Sequence, residues 1–156
     1  MRYRLIERWL SGLFEAGGDM RTKSIRQSVI FRADPHKVYE ALMDSRKHAR
    51  FTGSKASISR RVHGKIQAYD GFITGENMEL EPDRRIVQAW RAGEKCWPKQ
   101  HLSKVTFALK RVRTGTRLSF FHSGVPEGCY NTIRTGWWEA YWTPMKKMFV
   151  EQQDNS

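Results

Sequence analysis

TGWWEAYWTPMKKMF, residues 135–149, places three tryptophans and a tyrosine within six consecutive positions of a polar and basic chain. At α-helical spacing the stretch has two adjoining apolar seams, which are Trp138, Trp142, Met145 and Phe149, and Trp137, Tyr141 and Met148. Together the seams predict a long C-terminal helix with a wide apolar face. Pro144 has no backbone N–H, so we expect it to bend this helix.

Short segments typical of strands precede the helix, and turn signals separate them. They are residues 24–31, 57–69, 72–80, 86–90, 103–112 and 116–122. After the first, Asp34-Pro35 and Asp44-Ser45 predict the starts of two short helices, because aspartate caps free amides and proline suits the first turn. Short turns favour antiparallel pairing, and a twisted sheet curls. We therefore predict an α+β fold, with a curved antiparallel sheet of about six to seven strands wrapped on the C-terminal helix.

The composition indicates a single globular domain with a strongly basic surface. The chain has 156 residues and a formal net charge of +12, which favours acidic partners. Basic pairs such as Arg84-Arg85 fall on turns and strand ends, and no nucleic-acid-binding motif is present, so we expect no nucleic-acid partner. No stretch is apolar enough to span a membrane, and integral membrane association is not expected.

The first 19 residues stand apart from the predicted domain, which covers residues 20–156. Apolar residues recur at helical spacing, namely Leu5, Ile6, Trp9, Leu10, Leu13 and Phe14. One interpretation is an amphipathic helix that docks on the domain or lies on a membrane surface. The other is that Met20 is the true start, since the codons before it can form a ribosome-binding site.

The two cysteines, Cys96 and Cys129, do not form a CxxC pair. We expect both thiols to be free, as in a reducing compartment. The early apolar residues are interrupted by charges, and no small-residue cleavage site follows them. These observations predict a cytoplasmic protein.

Several segments, taken in order, resemble one known family. They are FTGSKASI, YDGFITGENMELEPDRRIVQAWR, the WP of CWPKQH, SKVTFAL, GTRLSF, SGVPEG and GWWEAYWTPMKKMF. The chain is similar over most of residues 24–150 to the C-terminal domain of the activator of the heat shock protein 90 ATPase and to its single-domain bacterial relatives. The resemblance implies the helix-grip fold of the START-like superfamily and, more weakly, a co-chaperone role. The chain is too short to contain the activator's separate N-terminal domain, and His63 replaces a usual family glycine.

No residue pattern indicates catalysis. The five histidines lack zinc spacing, Ser123 lies in no nucleophile elbow, and no phosphate-binding glycine loop occurs. We therefore expect neither an enzyme nor a cofactor or metal site. His122 shares its strand face with Leu118 and Phe120, so it is either a polar group at the end of an apolar pocket or a hydrogen-bonded core residue.

Two functions remain open. The first is a non-enzymatic module that holds a small hydrophobic ligand in a cavity between sheet and helix. Its candidate ligand-binding residues are Trp90, Phe107, Phe120, His122, Trp138 and Trp142. The second is contact with a chaperone of the heat shock protein 90 class through a basic surface that includes Arg84 and Arg85. The sequence is compatible with a monomer or a dimer.

Overall fold

A computed structural model describes residues 20–155. Both interpretations of residues 1–19 lie outside the described residues. The secondary structure of the described part is as follows: β1 (Thr22–Phe31), α1 (Pro35–Met43), α2 (Ser45–Thr52), β2 (Ser57–Ile58), β3 (Lys65–Ala68), β4 (Ile73–Glu81), β5 (Arg85–Ala92), β6 (Ser103–Val112), β7 (Gly115–Pro126), α3 (Tyr130–Trp137) and α4 (Thr143–Asp154). A π-helical turn over Trp138–Trp142 joins α3 to α4, so the three form one long C-terminal helix.

The sheet has seven strands in the order β1-β7-β6-β5-β4-β3-β2, and every adjacent pair is antiparallel. Strands β2 to β7 each pair with the next strand in the sequence. β1 lies at one edge of the sheet and pairs with β7, for example Gln27 with Phe120. The predicted curved antiparallel sheet, long C-terminal helix and two short helices after the first strand are confirmed.

Both predicted helix caps are formed. The Asp34 carboxylate accepts the backbone N–H of Lys37 at 2.9 Å, and Asp44 accepts that of Lys47 at the same distance. Each aspartate satisfies an amide that has no partner within the first helical turn.

The predicted strand over residues 57–69 is interrupted by a loop between β2 and β3. Buried Asn77 holds this loop, because its side-chain amide donates to the carbonyl oxygens of Ser59 at 2.7 Å and Arg61 at 3.0 Å. His63 lies in the loop with φ of 67°, in the left-handed region that favours glycine. Glycine would adopt this conformation at a lower cost than histidine does.

The π-helical turn corrects the prediction for Trp138, which is 39% exposed, whereas Trp137 is only 3% exposed. The backbone N–H of Thr143 donates to the carbonyl oxygen of Trp138, five residues back, so one extra residue enters the turn. Side chains before Trp142 therefore do not point in the directions that regular α-helical spacing predicts. Trp137 takes the inward position, and the prediction that Trp138 faces the sheet is wrong.

Pro144 is the second residue after this turn, and it leaves a backbone carbonyl without its usual helical donor. In a regular α-helix the N–H of residue 144 would bond to the carbonyl of residue 140, but proline has none. The Ala140 carbonyl instead accepts the hydroxyl of Tyr69 at 2.5 Å. The freed acceptor thus ties the helix to the short 3₁₀ turn Tyr69–Gly71, which joins β3 to β4.

The expectation of free thiols is wrong, because Cys96 and Cys129 form a disulfide. The two residues are 33 positions apart, and the fold brings their Cα atoms to 5.6 Å. The bond links the β5–β6 loop to the residue that precedes α3. The cytoplasmic location rested partly on free thiols and stays a prediction. Between residues 20 and 155, no helix has the length and the apolar content needed to cross a membrane.

Candidate functional site

Five of the six predicted ligand-binding residues meet in one aromatic cluster beneath the C-terminal helix. Trp90, Phe107, Phe120, His122 and Trp142 are each at most 4% exposed. The Phe120 ring lies 5.3 Å from Phe107 and 5.2 Å from Trp142, between ring centroids. The prediction omitted Trp137, which lies 4.4 Å from Phe120 and stacks on Trp142 at 5.5 Å.

Close packing leaves little internal space beside this cluster. A cavity of about 20 Å³ remains between sheet and helix, bordered by His48, Gln88, Trp137 and their neighbours. That volume holds about one water molecule. Phe107, Phe120, His122 and Trp142 therefore contact one another and the surrounding core, and a ligand of useful size needs space elsewhere.

His122 belongs to a chain of hydrogen bonds that defines its tautomer. The indole N–H of Trp137 can only donate, and it lies 3.0 Å from His122 Nδ1. His122 Nε2 therefore carries the proton and donates to Ser103 Oγ at 2.8 Å, while Ser103 donates to the backbone carbonyl of Trp90 at 2.8 Å. Both ring nitrogens are occupied, so the imidazole has no lone pair to accept a proton from Ser103. This geometry fits the structural interpretation of His122.

Burial keeps two histidines neutral. It lowers the pKa of His122 to about 3, with a smaller effect of His101 in the same direction, and lowers the pKa of His48 to about 4. His48 Nδ1 lies 3.3 Å from the Leu42 carbonyl, which can only accept, so Nε2 accepts the hydroxyl of Tyr141 at 3.0 Å. Burial also raises the pKa of Tyr141 far above its usual value, consistent with a hydroxyl that keeps its proton.

A larger open space, which we call the apolar groove, lies beside α3 and the π-helical turn, where β4 begins and β5 ends. Its volume is about 440 Å³, within the range of small-molecule sites. The groove is lined by Tyr69, Phe72, Ile73, Trp90, Glu94, Thr132, Ile133, Gly136, Trp137, Glu139, Ala140 and Tyr141. Of the predicted ligand-binding residues, only Trp90 is among them.

Gly136 was not singled out from the sequence, although a glycine inside a helix is a usable signal. It costs stability relative to alanine, so its presence often indicates close packing or function. Here a Cβ atom added at Gly136 meets no other atom within 4 Å. The missing side chain therefore leaves open space in the wall of the groove.

A second surface, the basic convex face, lies on the side of the sheet away from the helix. In the strand register, the basic residues on this side are Arg26, Arg85, Arg91, Lys104, Lys110 and Arg117. Their strands β1, β5, β6 and β7 contain no aspartate or glutamate, although Arg85 lies 3.6 Å from the carboxylate of Glu79 on neighbouring β4. The Arg26 guanidinium lies 4.3 Å from the centre of the Phe121 ring. The sequence placed basic residues around the fold, but the register gathers these six on one face.

No group of three or more His, Cys, Asp or Glu side chains within residues 20–155 is arranged to hold a metal ion.

Comparison with known proteins gives one matching family model and several relatives. Residues 32–149 match the model described as "Activator of Hsp90 ATPase homolog 1-like protein". The human "Activator of 90 kDa heat shock protein ATPase homolog 1" is 27% identical over 133 residues, which are 85% of this chain and 39% of the human protein. The chain thus spans about two fifths of the length of the curated relatives that it matches.

Solved structures share the fold. An HSP90 activator from Plasmodium falciparum superimposes with a TM-score of 0.71 at 23% identity, covering 81% of this chain and 94% of that chain. Protein MLL2253 from Mesorhizobium loti gives a TM-score of 0.68 at 21% identity, with coverages of 84% and 98%. At these identities the likeness concerns the fold.

Proposed function

The chain belongs to the activator of Hsp90 ATPase homologue 1-like family, and from this premise we propose that it binds a small hydrophobic ligand in the apolar groove. The observation that carries the proposal is an open space of about 440 Å³ whose wall is mainly aromatic and aliphatic. Such a site gains affinity from the apolar area that a ligand buries. The sequence predicted a ligand in a cavity between sheet and helix, whereas the groove lies beside the aromatic cluster and shares only Trp90 with the predicted residues.

Replacing Gly136 with leucine tests the groove as the binding site. The leucine side chain enters the open space and strengthens the helix, because leucine has the higher helix propensity. With 1-octanol as the probe and tryptophan fluorescence as the readout, we expect affinity to fall at least about tenfold in Gly136→Leu, a loss of about 1.4 kcal/mol. Trp90 and Trp137 line the groove and report the binding.

Gly136→Ala is the matched control for this experiment. A single methyl group leaves most of the groove open, so octanol affinity should stay within about twofold of the original chain, a difference below about 0.4 kcal/mol. The free energy of unfolding should rise by about 0.5–1 kcal/mol, since alanine replaces a helical glycine. Equal octanol binding by Gly136→Leu and the original chain would contradict the proposed site.

The basic convex face favours a second function, contact with a chaperone of the heat shock protein 90 class. Curated relatives are named as activators of the 90 kDa heat shock protein ATPase, and a face with six basic residues suits an acidic partner surface. The convex face and the apolar groove involve different residues, so each function can be tested separately.

Charge reversal at Lys110 and Arg117 tests this contact. The two residues face each other across β6 and β7, and Lys110→Glu/Arg117→Glu keeps a like-charged pair, so the effect on folding should be small. We expect affinity for a purified chaperone of this class to fall about tenfold at low salt, with a weaker dependence on salt. Surface plasmon resonance measures both quantities.

The control is Lys146→Glu/Lys147→Glu, which makes the same change in net charge at exposed positions of α4. It should retain most of the affinity. If both double variants bind as the original chain does, the convex face is not the contact surface.

A further inference from the structure

The charged residues of the apolar groove have the opposite sign to the chain as a whole. The chain carries a net charge of +12, yet the groove lining contains Glu94 and Glu139 and no lysine, arginine or histidine. We propose that the groove selects a ligand with a positively charged group on an apolar body, that is, an organic ammonium compound. This inference rests on the proposed ligand-binding function and names the class of ligand.

The groove also has an aromatic wall, in which Phe72 is 43% exposed, whereas Trp90, Trp137 and Tyr141 are at most 4% exposed. Trp90 and Trp137 lie 5.4 Å apart between ring centroids, and Tyr141 lies 4.7 Å from Trp137. Tyr69 continues the wall at 6.0 Å from Tyr141. Aromatic faces attract cations through the ring quadrupole, and clusters of rings are the usual sites for quaternary ammonium groups.

The same wall suits an anionic head group poorly. The hydroxyl of Tyr69 already donates to the Ala140 carbonyl, and the hydroxyl of Tyr141 donates to His48. The indole N–H of Trp137 is engaged with His122. A carboxylate or phosphate in the groove would therefore find these donors occupied while it approached two glutamates. Burial raises the pKa of Tyr69 to about 12, so its hydroxyl remains a neutral donor near pH 7.

The charge of the rest of the chain does not favour a cationic ligand. The many lysines and arginines outside the groove attract anions to the protein as a whole, so a general electrostatic effect favours an anionic amphiphile. A preference for the cation would consequently arise from the groove itself. Tighter binding of a cationic amphiphile therefore indicates binding in the groove, whereas tighter binding of an anionic one indicates adsorption on the basic surface.

Three probes with the same eight-carbon chain test the inference below their micelle concentrations. They are octyltrimethylammonium, 1-octanol and octanoate. Titration at low salt with the tryptophan fluorescence readout gives the three dissociation constants. We expect octyltrimethylammonium to bind about tenfold more tightly than octanol, from one ionic contact and one cation–π contact, and octanoate to bind most weakly.

Two double variants separate the charge effect from the binding itself. Glu94→Gln/Glu139→Gln should reduce the cation preference, measured as the ratio of the octanol and octyltrimethylammonium dissociation constants, to about threefold, since the cation–π contribution remains. Glu81→Gln/Glu151→Gln makes the same change in net charge at exposed positions outside the groove, and it should keep the full preference.

The outcomes distinguish the two proposals. If Gly136→Leu weakens all three probes but they bind the original chain equally, or octanoate binds best, the groove is a ligand site and the cation inference is wrong. A preference that survives in Glu94→Gln/Glu139→Gln unchanged also overturns the inference. If Gly136→Leu leaves the affinity for every probe unaltered, the ligand-binding function fails and the inference fails with it.

Discussion

Acidification from pH 7 to pH 4 is expected to remove about 6 kcal/mol from the free energy of unfolding, with about 3 kcal/mol from each of His48 and His122. Burial lowers the pKa of His48 to about 4 and that of His122 to about 3, whereas the ordinary value is 6.5. Their contribution is therefore complete above pH 6.5 and is lost as the pH falls toward the folded values. The unfolded chain binds two protons that the folded chain excludes.

This loss is large compared with the stability of an ordinary domain, about 5–15 kcal/mol. Urea unfolding at several pH values between 7 and 5, followed by tryptophan fluorescence, gives the slope of stability against pH. Near pH 5 we expect a slope that corresponds to about two protons, or roughly 2.7 kcal/mol per pH unit. His48→Gln should reduce the slope to about one proton.

The exposed His36 provides the control, because its ring lies at the surface beside Asp83. His36→Gln should leave the steep slope in place. An unfolding free energy that stays constant from pH 7 to pH 5 would contradict the buried, neutral state of His48 and His122.

Adjacent tryptophans in the C-terminal helix are expected to give opposite results on truncation. Trp137→Ala should lower the free energy of unfolding by about 4 kcal/mol, since it empties a buried site and leaves His122 Nδ1 without its donor. Trp138→Ala should change it by less than about 1 kcal/mol, because its side chain is 39% exposed. Urea denaturation of the two variants under identical conditions measures the difference.

A third variant separates packing from hydrogen bonding at the same position. Trp137→Phe keeps an aromatic ring but removes the indole N–H, so we expect an intermediate loss of about 1–3 kcal/mol. If Trp138→Ala proves as damaging as Trp137→Ala, the helix continues without the extra residue of the π-helical turn, and the register described here is wrong.

The fold was largely predictable because its signals are local. Alternating strands, short turns, the capping residues Asp34 and Asp44 and the aromatic run at the C-terminus each lie within a few consecutive residues. The functional surfaces depended on contacts between distant segments. Trp90 was the one groove residue identified beforehand, and Tyr69, Gly136 and the two glutamates come together only when β3, β5 and the last helix meet.

The sequence by itself determined the element order, the two capped helices and the need for a large apolar face on the last helix. Tertiary structure decided which tryptophan faces inward, because the π-helical turn places Trp137 in the core and leaves Trp138 exposed. It also decided the Cys96–Cys129 bond, since the approach of residues 33 positions apart is a property of the folded chain. Local sequence patterns determine the hydrogen bonds within a helix or strand. The direction in which each helical side chain points, the pairing of the cysteines and the shape of the groove depend on contacts between distant segments.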